Sequence, residues 1–455
     1  MKPFLTLTSA IVAVASLAAA AGALSAAPAA TTRVSVSSTG AQGNRDSFAA
    51  GISANGRFVV INSLATDLVK GDTNNRWDVF VHDRSTGRTN RVSVTSGGAQ
   101  AKAEKSPFGG SIGGGISSDG RYVVFQSDAA NLVPGDTNHA EDVFLRDRKT
   151  GRTSRVSSGL HGRQANGSSS FPTISTNGRY VAFQSLATNL VAHDTNRLSD
   201  VFVRDLSTGK TTRVSVDSHG AQARCKADYC ESTSPSLTAN GRYVAFQSSA
   251  TNLVSHDTNK LGDVFVHDRR TGKTVRVSVT SVGKQAGGDR TNTGSNAPAI
   301  SADARYVAFH SADTNLVPGD TNKTADIFVR DLKAGRTTRL SVSSAGKQGN
   351  GESLGALTMS ADGRYVAFTS LASNLVANDA NDITDVFIRD LRTGTTTLAS
   401  LGAAGQGDDA SSVGGAGSGL EFSAGARYLA FSSWAANFIA GDTNDKPDAF
   451  VRKLS

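Results

Sequence analysis

The sequence predicts an all-β fold in which seven similar four-stranded units close into a ring. The first observation is a repeat: the Asp of the phrase GDTNNRWDVF, at position 72, recurs at 136, 194, 257, 320, 379 and 442. The second is a composition of 47 Gly and only 2 Met in 455 residues, which is typical of β-rich proteins with many turns. The third is that the last unit lacks a fourth strand, while a matching strand opens the chain.

One full unit, residues 234–279, contains four strand patterns. Two of them, RYVAFQS and DVFVHD, are rich in residues that favour β-strands. A third, TVRVSV, alternates apolar and polar residues, and the fourth, PSLT, is a short segment made mostly of small residues. The turns ANGR and RRTGKT separate neighbouring strands. Such an antiparallel meander cannot bury both its faces alone, so the repeats predict a seven-bladed β-propeller with four antiparallel strands per blade. The small residues of PSLT suit the innermost strand, since blades crowd near the axis.

The two ends of the chain predict how the ring closes. The seventh unit stops at DAFVRKLS, after its third strand. Residues 31–36, TTRVSV, are identical to residues 211–216, which form a fourth strand. We therefore expect strand 31–36 to complete the last blade and the propeller domain to span residues 30–455.

The repeat resembles that of a known family of propellers. ISSDGRYVVFQS followed by DVFLRDRKTGRTSRVS is similar to the repeat of TolB-type proteins and their WD-repeat-like relatives, over essentially the whole mature chain. Asn55, Asn177 and Asn240 replace the family's Asp in the first turn, and we expect the N-terminal domain of TolB proper to be absent. The resemblance implies a propeller; the family's role in translocation complexes is not carried over.

Residues 1–29 predict a cleaved secretory signal peptide. They contain one Lys, an apolar stretch and the A-x-A pattern Ala27-Pro28-Ala29. A cut after Ala26 is an alternative, and so is a retained anchor, which the weakly apolar Ala-rich stretch disfavours. The sequence thus predicts a secreted or periplasmic protein without a transmembrane span.

In such a compartment Cys225 and Cys230 are expected to form a local disulfide. The alternative is a redox-active or metal-binding pair, although the two cysteines do not have the C-x-x-C spacing that is usual for such pairs.

The repeated phrase places two Asp and one Asn in the loop between the second and third strands of every blade. Such oxygens are the ligands that Ca²⁺ prefers, and two close carboxylates need something to offset their repulsion. The alternative is a structural turn, since Asn forms Asx-turns and Asp caps loops. The candidate calcium ligands are Asp72, Asn74, Asp78, Asp136, Asn138, Asp142, Asp194, Asn196, Asp200, Asp257, Asn259, Asp263, Asp320, Asn322, Asp326, Asp379, Asn381, Asp385, Asp442, Asn444 and Asp448.

The strand order sorts the loops onto two faces. The turns after the first and third strands form one face, called the turn face, which receives one Arg per blade, from Arg57 to Arg427. These arginines predict either local ion pairs or a basic surface. The acidic loops and the variable connections between blades form the other, called the loop face. Variable loops on a rigid frame are where binding specificity usually lies.

These observations predict a secreted binding or scaffold module rather than an enzyme. The expected partner is a protein or a cell-envelope polymer or glycan, and the protein is expected to be a monomer. A net charge of +8 without Lys/Arg runs does not predict nucleic-acid binding. No zinc-protease, nucleophile-elbow or Walker motif occurs. The alternative is a hydrolase or lyase with its active site in the axial channel.

Overall fold

The computed structural model describes residues 31–102, 109–225, 230–287, 294–379, 381–402, 405–411 and 419–454. Within them the strands form seven four-stranded antiparallel sheets and one two-stranded hairpin. The predicted signal peptide, residues 1–29, lies outside the described residues. Within the described ranges, no helix has the length and apolar character needed to cross a membrane.

Each sheet is one blade, and its strands follow the chain from the axis outwards. The first strand, β1 (Thr31–Arg33), belongs to blade seven. Blade one comprises β2 (Ser47–Ile52), β3 (Phe58–Ser63), β4 (Asp78–Asp83) and β5 (Arg88–Arg91). Blade two comprises β6 (Ser111–Ile116), β7 (Tyr122–Ser127), β8 (Asp142–Asp147) and β9 (Arg152–Arg155). Blade three comprises β10 (Ser169–Ile174), β11 (Tyr180–Ser185), β12 (Asp200–Asp205) and β13 (Thr211–Arg213).

The remaining blades repeat this plan. Blade four comprises β14 (Ser232–Leu237), β15 (Tyr243–Ser248), β16 (Asp263–Asp268) and β17 (Lys273–Arg276). Blade five comprises β18 (Ser295–Ile300), β19 (Tyr306–Ser311), β20 (Asp326–Asp331) and β21 (Arg336–Arg339). Blade six comprises β22 (Ser353–Met359), β23 (Tyr365–Ser370), β24 (Asp385–Asp390) and β25 (Thr395–Leu398), followed by the hairpin β26 (Leu401–Gly402) and β27 (Gly405–Gln406). Blade seven comprises β28 (Glu421–Phe422), β29 (Tyr428–Ser433), β30 (Asp448–Lys453) and β1. The 3-10 helices are Leu160–Gly162 and Ala424–Ala426.

The hydrophobic core lies between neighbouring blades. Val201 and Val203 of blade three pack in one cluster with Val244, Phe246 and Phe265 of blade four. These apolar residues alternate in their strands, so one face of a sheet meets the next blade while the other meets the previous one. Each blade therefore buries its second and third strands only when the neighbour on each side is present.

Small residues are frequent in the innermost strands, as predicted, although β28 consists of Glu421 and Phe422, and several of these strands are irregular. In β10, β14 and β18 the pairing register with the second strand shifts by a bulge. Phe171, Ser234 and Ala297 lie in these bulges with positive φ of 51°, 53° and 49°, and a proline follows each of them in the sequence. A bulge bends the strand at the place where seven strands crowd around the axis.

The N-terminal strand closes the ring, as predicted. In β1, Thr31 pairs with Arg452 and Arg33 with Phe450 of β30. The Val34 N–H continues the ladder by donating to the Ala449 carbonyl at 2.8 Å. The regular strand is shorter than the predicted 31–36, because Val36 already forms a separate bridge with Gln42. The four-stranded seventh blade thus combines both ends of the chain.

Candidate functional site

In six of the seven acidic loops an arginine lies between the two predicted aspartates. In blade four, Nη1 of Arg276 lies 3.2 Å from Oδ1 of Asp257 and 3.1 Å from Oδ2 of Asp263. The Arg276 side chain is 10% exposed and that of Asp263 is fully buried. The guanidinium offsets the repulsion between the two carboxylates. The equivalent arginines are Arg33, Arg91, Arg155, Arg213 and Arg339.

The other oxygens of these loops are also engaged within the protein. In blade four, Ser278 donates to Oδ1 of Asp263, and Asn259 Nδ2 donates to Oδ2 at 3.2 Å. Asn259 Oδ1 accepts from the Leu261 N–H at 3.2 Å, which is the local turn that the structural alternative predicted. Burial raises the pKa of Asp257 to about 6; the neighbouring Asp263 adds to this effect, and the arginine opposes it.

Blade six is the exception among the acidic loops. Leu398 stands 19 residues after Asp379, where blades one to five place their arginine. Gln406 Nε2 donates to Oδ1 of Asp379 and to Oδ2 of Asp385, each at 2.7 Å. Burial raises the pKa of Asp379, and the charges of Asp385 and Asp382 raise it further. Within the described residues, no salt bridge involves either Asp379 or Asp385 in this loop.

The structure therefore brings the predicted Asp-Asn-Asp sets together but supplies a different counter-charge. In blades one to five and seven the cation beside the aspartates is a guanidinium. Among the residues that the structure describes, no group of three or more His, Cys, Asp or Glu side chains is arranged to hold a metal ion. Calcium binding stays a prediction, and the arginine is a competing explanation for the repeated carboxylates.

The arginines of the turn face form local ion pairs. Arg57 donates from Nε to Oδ1 of Asp83 at 2.8 Å and from Nη2 to Oδ2 at 2.7 Å. This bidentate pair holds the pKa of Asp83 well below its usual range. Five further blades repeat it, as Arg121–Asp147, Arg179–Asp205, Arg242–Asp268, Arg305–Asp331 and Arg364–Asp390. Partly neutralised arginines make the turn face a weaker attractor for acidic partners than its arginine count indicates.

The axial channel is a cavity of about 560 Å³ lined by the innermost strands of all seven blades. Its wall consists mostly of small and apolar residues such as Ala50, Gly114, Pro235 and Pro298. At the turn face it is rimmed by Ala54, Ser118, Thr176, Ala239, Ala302, Ala361 and Ala424. Neighbouring turns are linked there: the Ser118 N–H donates to the Thr176 carbonyl at 3.0 Å.

One charged side chain interrupts this wall. Glu421 of β28 is the one ionisable residue among the described residues that line the channel. The Thr358 hydroxyl lies 3.5 Å from its Oε2. Although Glu421 is accessible from the channel, protein surrounds it, and this desolvation raises the pKa of its carboxyl to about 7. Glu421 was not among the residues predicted from the sequence, although LEFS differs visibly from AGIS, GGIS, PTIS, PSLT, PAIS and LTMS.

The loop face carries large apolar side chains that differ from blade to blade. Leu186 is 53% exposed and Trp434 is 37% exposed, and Leu371 is exposed as well. Leu186, Leu371 and Trp434 each follow directly after the second strand of their blades. Other blades place Leu64, Asp128, Ser249 and Ala312 at this position.

The predicted disulfide between Cys225 and Cys230 is present in the structure. It lies in the connection between blades three and four, and residues 226–229 between its cysteines lie outside the described part of the chain. Cys230 is buried and packs in the cluster between these two blades. The bond therefore ties a loop-face connection to the core.

Comparisons with known proteins identify the fold. No family model matches the chain, and no curated protein matches it. Among solved structures, an oligogalacturonate lyase in complex with manganese is 12% identical over 93% of both chains, with a TM-score of 0.53. The propeller domain of the trilobed protease from Pyrococcus furiosus is 9% identical over 90% of this chain and 94% of that one, with a TM-score of 0.51. TolB from Acinetobacter baumannii is 14% identical over 88% and 81%, with a TM-score of 0.37.

The chain is a seven-bladed β-propeller. The propeller fold that the resemblance to TolB-type and WD-repeat-like proteins implies is confirmed by the seven four-stranded blades. In all, 858 chains of solved structures match, so the likeness identifies a widely shared architecture rather than an activity.

Proposed function

We propose that this protein is a binding module that acts outside the cytoplasm and holds a protein or a cell-envelope polymer or glycan on its loop face. The observation that carries the proposal is the set of exposed apolar side chains Leu186, Leu371 and Trp434 on that face. Large exposed apolar side chains cost solubility unless they serve an interaction, and aromatic anchors are typical of binding surfaces.

The contrast between the two faces supports this assignment. On the turn face six blades repeat the same Arg–Asp pair, for example Arg57–Asp83. On the loop face the equivalent positions change from blade to blade, from Leu186 to Ser249. A repeated surface offers the same chemistry in six blades, whereas an asymmetric one distinguishes one partner from another.

The test compares partner capture by two matched surface variants. The first combines Leu186→Ser, Leu371→Ser and Trp434→Ser on the loop face; the second combines Arg152→Ser and Arg336→Ser on the turn face. Each is immobilised and presented with purified cell-envelope glycans and with proteins released from the same envelopes. We expect the loop-face variant to lose the retained component and the turn-face variant to keep it. The opposite result contradicts the proposal.

Exchange of the connection at residues 217–233 tests the contribution of the variable loops. We expect it to alter the partner that is captured while leaving the melting temperature of the ring within a few degrees of the wild type. Unchanged capture would restrict the binding surface to the apolar side chains. Light scattering of the same preparations tests the proposed monomer.

Export is the second part of the proposal. It rests on the apolar N-terminal segment with its A-x-A pattern at Ala27-Pro28-Ala29 and on the Cys225–Cys230 disulfide, since disulfides persist in oxidising compartments. Mass spectrometry of the protein from the producing cell is expected to find the mature N-terminus near residue 30, outside the cytoplasm. An intact Met1 in the cytoplasmic fraction contradicts export.

The calcium hypothesis is retained for blade six alone. Six loops already hold a guanidinium between their aspartates, whereas the partner that Asp379 and Asp385 share among the described residues is the uncharged Gln406 amide. A calorimetric Ca²⁺ titration of the chelator-stripped protein is expected to show at most one site, which Leu398→Arg abolishes. Several sites, or one that survives this substitution, contradict the assignment to blade six.

The alternative function is that of a lyase or hydrolase with its site in the channel. It is favoured by Glu421, whose raised pKa of about 7 suits acid–base chemistry, and by the fold shared with oligogalacturonate lyase. Incubation with oligogalacturonate, followed by detection of new reducing ends, tests it. Cleavage that Glu421→Gln removes supports the enzyme, and no cleavage supports the binding module.

A further inference from the structure

Seven residues form one level of the axial channel, and Glu421 is one of them. Each pairs with the equivalent residue of the second strand in its blade, as Glu421 does with Ala430 and Thr358 with Ala367. The whole level consists of Gly51, Gly115, Thr173, Ser236, Ala299, Thr358 and Glu421. One carboxyl group therefore shares its level with three hydroxyl groups and three residues without polar side-chain atoms.

The carboxyl group of Glu421 has little to satisfy it within the protein. Among the described residues its side-chain hydrogen bond is a long one from the Thr358 hydroxyl, at 3.5 Å. Ser236, on the same level, uses its oxygen to accept from the Ile300 N–H at 3.2 Å. A carboxylate with unused acceptor capacity, in a passage whose other lining side chains are uncharged, favours a ligand that brings both positive charge and N–H donors.

No other described ionisable group faces Glu421. The strands packed on β28 are β2, β22 and β29. Neither β2 nor β22 contains a titratable residue. In β29, the ring of Tyr428 lies under the guanidinium of Arg84, 4.5 Å from the ring centre, on the way to blade one. The charge of Glu421 is therefore uncompensated by its neighbours.

We propose that the axial channel binds a small primary ammonium ion with an apolar tail, whose N–H groups donate to Glu421 and to the hydroxyl groups of its level while the tail packs on the apolar wall. A cavity of about 560 Å³ is large enough for such a ligand. This site is separate from the loop face, so it does not depend on the proposed binding function.

Three isosteric probes test the charge requirement: n-butylammonium, n-butanol and butyrate. With the full mature protein at pH 8, calorimetry is expected to show saturable binding of one butylammonium, at least 10-fold tighter than butanol, and no binding of butyrate. Because the pKa of Glu421 is about 7, affinity for butylammonium is expected to fall about 10-fold at pH 6 as the carboxyl group is protonated. Equal affinities for butylammonium and butanol would overturn the proposal.

Two substitutions locate the site. Glu421→Gln keeps the side-chain shape, and Glu421→Thr restores a residue that blades three and six already carry at this level, so at least one folded variant is expected. Both Glu421 variants are expected to bind butylammonium no better than butanol, and their affinity for butylammonium is expected not to change between pH 6 and pH 8. The control is Glu352→Gln, an exposed carboxylate of the loop face, which is expected to bind like the wild type. Undiminished butylammonium binding by a folded Glu421 variant, or absence of binding by the wild type, refutes the proposal.

Discussion

Replacing the arginine of one acidic loop by leucine tests the role assigned to it here. Arg276→Leu is the natural choice, because blade six already carries Leu398 at the equivalent position. At 3.1 and 3.2 Å and an effective dielectric constant of about 20, each ion pair of Arg276 attracts by roughly 5 kcal/mol. Desolvation of the guanidinium cancels much of this attraction. Removing one partner of a buried pair costs about 3–5 kcal/mol, so we expect a loss of unfolding free energy of roughly 3 kcal/mol.

The loss is expected to depend on pH. Without the guanidinium, the pKa values of Asp257 and Asp263 rise further above those of the unfolded chain, so the folded state binds more protons than the unfolded state. Stability then falls as pH rises through this window, and the difference from the wild type is expected to be larger at pH 8 than at pH 5. Urea unfolding at the two pH values measures it.

Two controls accompany this experiment. Lys273→Leu, at the exposed start of the same strand, is expected to change stability by less than about 0.5 kcal/mol. Leu398→Arg supplies blade six with the missing guanidinium and is expected to stabilise the protein at pH 8. A loss below about 1 kcal/mol for Arg276→Leu, equal at both pH values, would refute the role of the arginine as the counter-charge.

Three further predictions concern the frame. Gly241→Ala is expected to lower the free energy of unfolding in urea by at least about 1 kcal/mol more than Gly272→Ala. Both glycines have positive φ, but a Cβ at Gly241 would lie 2.3 Å from the Tyr180 ring, whereas a Cβ at Gly272 would meet open space. Equal losses for the two variants would contradict the role of this contact. Deleting residues 31–36 is expected to abolish the cooperative melt, and adding the peptide TTRVSV to restore it; a normal melt without the strand contradicts the closure. The double variant Cys225→Ser/Cys230→Ser is expected to lower stability by no more than about 2 kcal/mol, as for a small loop; a larger loss by calorimetry means that the bond supports the core.

The sequence predicted the ring well because repetition makes the evidence cumulative. The strands, their order and the closure by residues 31–36 each follow from patterns that occur several times. The partner of the acidic residues was not predicted, because Arg276 lies on β17 whereas Asp257 lies in the loop before β16, and only the fold brings them together. The constant spacing of 19 residues was the available signal.

Glu421 was not predicted as a functional residue for a different reason. A single acidic residue in a short strand carries no periodic signal, and its importance depends on the axis that only seven assembled blades create. The exposed side chains Leu186 and Trp434 were equally hidden, because sequence patterns of apolar residues indicate burial far more often than exposure. A prediction based on repeats uses what the blades share, so it overlooks residues that occur in one blade alone.

The pairing of Thr31 with Arg452 also sets the order in which the protein can fold. These residues are 421 positions apart in the chain. At about 5–20 residues per second, the first strand to be synthesised waits roughly 20–85 s for its partner, with its backbone donors and acceptors unpaired. Until the last residues have emerged no ring exists, and blade one lacks the core that it shares with blade seven. Because the strand that closes the ring is synthesised last, the chain stays incompletely folded throughout synthesis. An incompletely folded chain can cross a membrane in an extended form, which suits the proposed export.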